Sequence, residues 1–112
     1  MQLLLLVLNQ VEKLDALLDA LMEQGISGAT IMNSVGMVRE LAGRNEYQPI
    51  FGSPWFLNDP DRKESKTIFL VLNNEQITKA RSVIYQVIGD LSQPDTAVLF
   101  TFPVLSAEGI GY

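Results

Sequence analysis

Two stretches of this chain carry the same order of apolar and polar positions, sixty-four residues apart. Leu6-Val7-Leu8-Asn9 and Leu70-Val71-Leu72-Asn73 read as the same strand end, and Gly25 and Gly89 recur at the same offset. Beyond each asparagine the period changes from strand to helix. Val11, Leu14, Leu17, Leu18, Leu21 and Met22 fall on one helical face, and so do Ile77, Ala80, Ile84, Val87, Ile88 and Leu91. Asn9 with Glu12, and Asn73 with Gln76, stand where an N-cap and its capping-box partner belong. Gly25 predicts the left-handed residue that ends the first helix, and Gly89 stands at or near the end of the second. Each half is therefore expected to run strand, helix, strand. The closing strands fall at 29–34 and 97–104, the second marked by Val98, Leu99, Phe100 and Phe102.

Two βαβ units in one small chain, with right-handed crossovers, predict a ferredoxin-like βαββαβ sandwich of the α+β class. The expectation is an antiparallel sheet with two helices on one face and a long loop between strands 2 and 3. From the repetition, the two repeated strands are expected side by side and parallel at the sheet centre. A half-solvated sheet alternates apolar with polar, yet Leu3 to Leu8, Ile68 to Leu72 and Val98 to Phe102 are apolar at nearly every position. A monomer would leave the uncovered face as a contiguous apolar patch. Association through the sheet is the simplest resolution.

The segment Gly36 to Lys66 is much longer than a hairpin turn requires, and segments of that kind usually carry function. It holds Tyr47, Phe51, Trp55 and Phe56, four of the nine aromatics, which argues against plain disorder. These rings either fold the loop back onto its own subunit or a neighbour, or form a contact surface for a protein partner.

Composition then removes whole classes of function. The 112 residues suit one domain, 1–112, and contain neither cysteine nor histidine, so disulfide, thiolate and ordinary zinc chemistry are excluded. A net charge of −5 argues against a nucleic-acid-binding surface. That charge is uneven: residues 36–66 are neutral, with five basic and five acidic side chains, and the remainder carries the whole deficit. The N-terminal apolar run lacks a basic flank and is far shorter than the roughly 20 residues of a membrane span, so a buried strand and a cytoplasmic location are expected. Without histidine, no nucleophile with a base partner can be assembled, and no carboxylate pair stands at catalytic spacing on a rigid element; Asp59 and Asp61 flank a proline in a charged loop. A non-enzymatic role is the expectation.

The stretch Gly25-Ile26-Ser27-Gly28-Ala29-Thr30-Ile31, followed by Gly36-Met37-Val38-Arg39, resembles the P-II signal-transduction family. That family carries Gly-Ile-Thr/Ser-Gly-x-Thr-Val before its second strand and Gly-Phe-Gly-Arg at the base of a long loop. The resemblance implies a homotrimer whose inter-subunit clefts bind an adenine nucleotide or another small anion. It also implies a loop, here 36–66, that reports occupancy to a target protein. The implied ligand positions are Ser27, Thr30, Gly36, Met37, Val38 and Arg39, with Lys66 at the other foot of the loop. Hydroxyls of Ser27 and Thr30 suit a purine edge, and the Arg39 fork suits a phosphate.

The chain departs from the family at the triphosphate end. Val38 replaces a glycine, Glu40 a glutamine, and Pro94-Asp95-Thr96-Ala97 stands where the family has Gly-Asp-Gly-Lys. The two arginines expected after the last strand are missing from residues 103–108. The chain is therefore similar to a divergent branch in which the scaffold persists and the ligand has changed. The segment 49–53 and the ending 99–104 resemble such members, and no flanking motif marks Tyr47 for modification. Two alternatives remain open: a metal-handling trimer similar to the copper-tolerance CutA proteins, for which only carboxylates and methionines remain as ligands, and an oligomeric interaction protein that has lost ligand binding.

Overall fold

The computed structural model describes residues 1–42 and 64–110. Strand β1 (Gln2–Leu8) leads through a 3-10 turn (Val11–Lys13) into helix α1 (Leu14–Glu23), then strand β2 (Thr30–Ser34) and a short helix α2 (Met37–Ala42). Strand β3 (Ser65–Leu72), helix α3 (Asn74–Ile88) and strand β4 (Ala97–Pro103) complete the chain. The sheet order is β2-β3-β1-β4 with every neighbouring pair antiparallel, a ferredoxin-like α+β arrangement.

The repeated strands β1 and β3 do lie side by side at the centre, but they are antiparallel, which corrects the expected direction. The register gives the reason. Leu5 pairs with Phe69, its own counterpart at the sixty-four-residue offset, so a pseudo-twofold axis passes between them and reverses one half against the other. Equivalent elements then fall at equivalent places: β2 and β4 form the two edges, and α1 and α3 pack against each other on one face.

The core lies between that helix pair and the even-numbered positions of β1. Leu4, Leu6 and Leu8 are buried together with Ile68, Leu70 and Leu72 of β3. Leu17 and Leu21 of α1 and Ile77, Ala80, Val83, Ile84 and Ile88 of α3 close over them. Burying one such aliphatic side chain contributes about 1.5–3 kcal/mol, so this layer dominates the stability of the subunit. Lys13 adds a tie between the helices by donating to the Ile88 carbonyl at 3.2 Å.

The helix ends follow local chemistry unequally. Asn73 caps α3 through its side chain, accepting from the Gln76 amide at 2.9 Å, while Gln76 Oε1 accepts from the Asn73 amide at 3.1 Å. This is the expected capping box. At the first helix the expected Asn9–Glu12 cap is absent: α1 starts at Leu14 without a side-chain cap, behind the 3-10 turn. The main-chain amides of Asn9 and Gln10 are instead taken by the Thr96 carbonyl, which draws the segment away from cap geometry. Gly25 behaves as expected, with φ of 75°. The Ile26 amide donates to Leu21 and the Gly25 amide to Met22, a Schellman closure, and Ile26 turns into the core beside Leu21. Gly89 ends α3 with a positive φ of 92° but an extended ψ of −145°, its amide donating to the Tyr85 carbonyl.

Regular elements occupy both feet of the long connection. Met37–Ala42 is helical and Ser65 and Lys66 belong to β3, so neither foot is loop as expected. Tyr47, Phe51, Trp55, Phe56, Asp59 and Asp61 lie outside the described residues. Among the described residues no helix is long and apolar enough to cross a membrane.

Candidate ligand-binding site

β2 carries the implied ligand positions to two opposite ends of the sheet. Ser27 and Thr30 stand at its N-terminal end, beside an open cleft of about 990 Å³. Phe69 and Val71 of β3 supply an apolar wall, and Asn73 and Gln76 at the start of α3 supply polar groups. The side-chain oxygens of both are engaged in the capping box, and Ser27 and Thr30 bring hydroxyls to the cleft.

Gly36, Met37, Val38, Arg39 and Lys66 stand at the other end. Met37 is 76% exposed and Val38 is 38% exposed, so neither is held by the core. Gly36 has no left-handed backbone, and an added Cβ would meet nothing within 4 Å, so the subunit's own packing does not require glycine there. The Lys66 ammonium donates to Asn33 Oδ1 on the neighbouring strand.

Arg39 reaches Asp95 in the turn before β4. One guanidinium nitrogen, Nη2, lies 3.2 Å from both carboxylate oxygens. This salt bridge links the segments that adjoin opposite edges of the sheet. The C-terminal end of β2 and the N-terminal end of β4 share one end of the sheet because Leu8 of β1 pairs with Ala97 and β1 runs parallel to β2. Three strand spacings, roughly 14 Å, separate those edges, so α2 turns back across the strand ends to make the contact.

The same end holds a hydroxyl cluster that sequence reading missed. Ser34 Oγ lies 2.8 Å from Ser65 Oγ and 2.7 Å from Thr67 Oγ1, and Ser65 Oγ donates to the Ser34 carbonyl. Ser65 and Thr67 are buried, so these polar groups satisfy one another across the β2–β3 pair. The signal was present in the alternation Ser65-x-Thr67, but its partner Ser34 is fixed only by strand register.

The face of the sheet turned away from the helices bears on the site as much as any single residue. Leu3, Leu5 and Val7 of β1 align with Val71, Phe69 and Thr67 of β3 and with Phe102, Phe100 and Val98 of β4. Alternation turns all of these away from the helices. Val98, Phe100 and Phe102 are 46–48% exposed, and the Phe100 and Phe102 rings stack at 6.2 Å. Among the described residues no group of three acidic side chains is placed to hold a metal ion. Neither a protein-family model nor a curated protein sequence matches this chain.

Proposed function

We propose that the chain is a non-catalytic, P-II-like sensor that assembles through its sheets as a homotrimer. In this reading it binds a small anionic metabolite or adenine nucleotide in clefts between subunits. The observation that carries the reading is the separation of Ser27 and Thr30 from Arg39 in a subunit whose outer sheet face is apolar on its central strands and on β4. One subunit holds hydroxyls and an apolar wall at one end and a guanidinium at the other. Packing the apolar faces of several copies together brings unlike ends into register and builds a cleft with both. The α2 segment and the rest of 36–66 would then sense occupancy and report it to a protein partner in the cytoplasm.

Two measurements test this. Light scattering should give a mass well above the 12.4 kDa of one chain, and a value of 12.4 kDa at micromolar concentration overturns the assembly. A thermal-shift screen against adenine nucleotides and small anions should find a ligand that raises the melting temperature, because a ligand binding only the folded state stabilises it. Arg39→Ala should then weaken binding about ten- to a hundredfold through loss of a charge-assisted contact. Lys66→Ala should do less, since Lys66 is a point charge already engaged by Asn33. Unchanged affinity in Arg39→Ala overturns the placement of the anion.

A further inference from the structure

Arg39 is occupied in the free subunit by a carboxylate from the far edge of the sheet. Resting on the anion-site reading above, we infer that Asp95 gates that site. It holds Arg39 and α2 in a closed position that a ligand opens only by displacing the carboxylate, so the site selects anions carrying several negative charges.

Three observations converge on this. The first is geometry, since both Asp95 oxygens lie 3.2 Å from Arg39 Nη2, so a phosphate using the fork that includes Nη2 competes with the carboxylate for that nitrogen. The second is the backbone of Asp95. Its φ of 58° makes it the one non-glycine residue in the left-handed region among the described residues. Glycine would occupy that conformation without a steric cost. Aspartate tolerates it better than most residues, and here its carboxylate faces the guanidinium. The third is the helix the contact restrains. α2 has six residues, too few to be stable by propensity alone, and it exposes Met37 and Val38. Its position therefore depends on contacts such as the one Arg39 makes across the strand ends.

Selectivity follows from charge and tethering. A free monocarboxylate matches Asp95 in charge and hydrogen-bonding chemistry but lacks its high local concentration, so it competes poorly. A di- or triphosphate brings more charge to the same fork and can win. The pair is partly solvated, with side chains 20% and 35% exposed, so its grip is modest and displacement is within reach of such a ligand.

The test uses inorganic triphosphate as probe, acetate as the monoanion control, and the intact protein in four forms: wild type, Asp95→Asn, Arg39→Ala and the double variant. Asp95→Asn should bind triphosphate about two- to fivefold tighter than wild type. In the Arg39→Ala background the same substitution should change nothing, and acetate should bind wild type undetectably. Asp95→Gly, which also relieves the backbone, should move affinity in the same direction. Independently of any ligand, hydrogen exchange at the Glu40 amide, which donates to the Gly36 carbonyl, should speed up in Asp95→Asn. Weaker triphosphate binding in both Asp95 variants would mean that Asp95 positions Arg39 rather than blocking it, and overturns the gate. Unchanged Glu40 exchange overturns it too. If no variant binds triphosphate while Glu40 exchange still rises, the anion-site reading falls and the gating of a ligand falls with it, leaving the contact as a clasp on α2.

Discussion

The two faces of the sheet are made from the same kinds of residue and end up in different environments. On β1, Leu4, Leu6 and Leu8 are at most 1% exposed, while Leu3, Leu5 and Val7 between them remain half-buried. On β4 the contrast is sharper: Ala97 is buried and Val98, Phe100 and Phe102 are nearly half exposed. Hydrophobicity is therefore not what separates core from surface here. Coverage by α1 and α3 is, and a face of equal apolarity without helices over it is the surface that the proposed association would cover.

The largest effect should come from the covered face. Leu6→Ala should lower the unfolding free energy by about 2–5 kcal/mol in urea denaturation, since the site is fully enclosed and a cavity would remain. Leu5→Ala should cost less in dilute protein, and its cost should grow with protein concentration as subunits associate. Equal losses at every concentration would erase the distinction between the faces.

Next comes the uncovered face itself. Phe100→Glu should shift the light-scattering mass to that of one chain while leaving the far-ultraviolet circular dichroism unchanged, because a charge there opposes association without entering the core. An unchanged mass would place the interface elsewhere. A lost fold would mean that the face is part of the subunit's own core.

A smaller effect probes the layer that makes the covered face what it is. Asn73→Ala removes the side chain that caps α3 and should destabilise by about 1 kcal/mol in the same urea assay. Asn9→Ala, at the equivalent position of the first half, should cost less because no side-chain cap forms on its helix.

The smallest effect lies in the turn that follows α3. The hydroxyl of Ser92, its amide and the Gln93 side chain, in that order, hold the Asp90 carboxyl below the usual carboxylate range. A carboxyl depressed in the folded state stabilises fully above its unfolded pKa, and that contribution is lost as pH falls through the folded value. Ser92→Ala should move the Asp90 titration in nuclear magnetic resonance up toward the ordinary range and flatten this slight acid dependence. An unmoved titration would show that the Ser92 hydroxyl is not its main cause.

Much of the scaffold was legible in the residues taken in order. The strand ends around Leu6 and Leu70, the capping box of Asn73 and Gln76, the left-handed Gly25 and the helix-ending Gly89 are written within a few positions of where they act. The apolar character of both faces is also local, since alternation needs only neighbouring residues. The direction of β3 against β1 was not legible, because translational similarity between two segments says nothing about which way the second is threaded. Nor was the loss of the first cap, where a carbonyl at Thr96 competes for amides near residue 9. The candidate site divided along the same line. Ser27, Thr30 and Arg39 could be picked out by residue type, but their placement at opposite ends of β2 follows from strand direction. Arg39 meets Asp95 fifty-six positions away only because the sheet order puts β2 and β4 on opposite edges with their adjoining turns at one end. Period, caps and turn residues are short-range and therefore readable from the chain; pairing, direction and edge-to-edge contact depend on how the whole chain closes, and only the tertiary structure decides them.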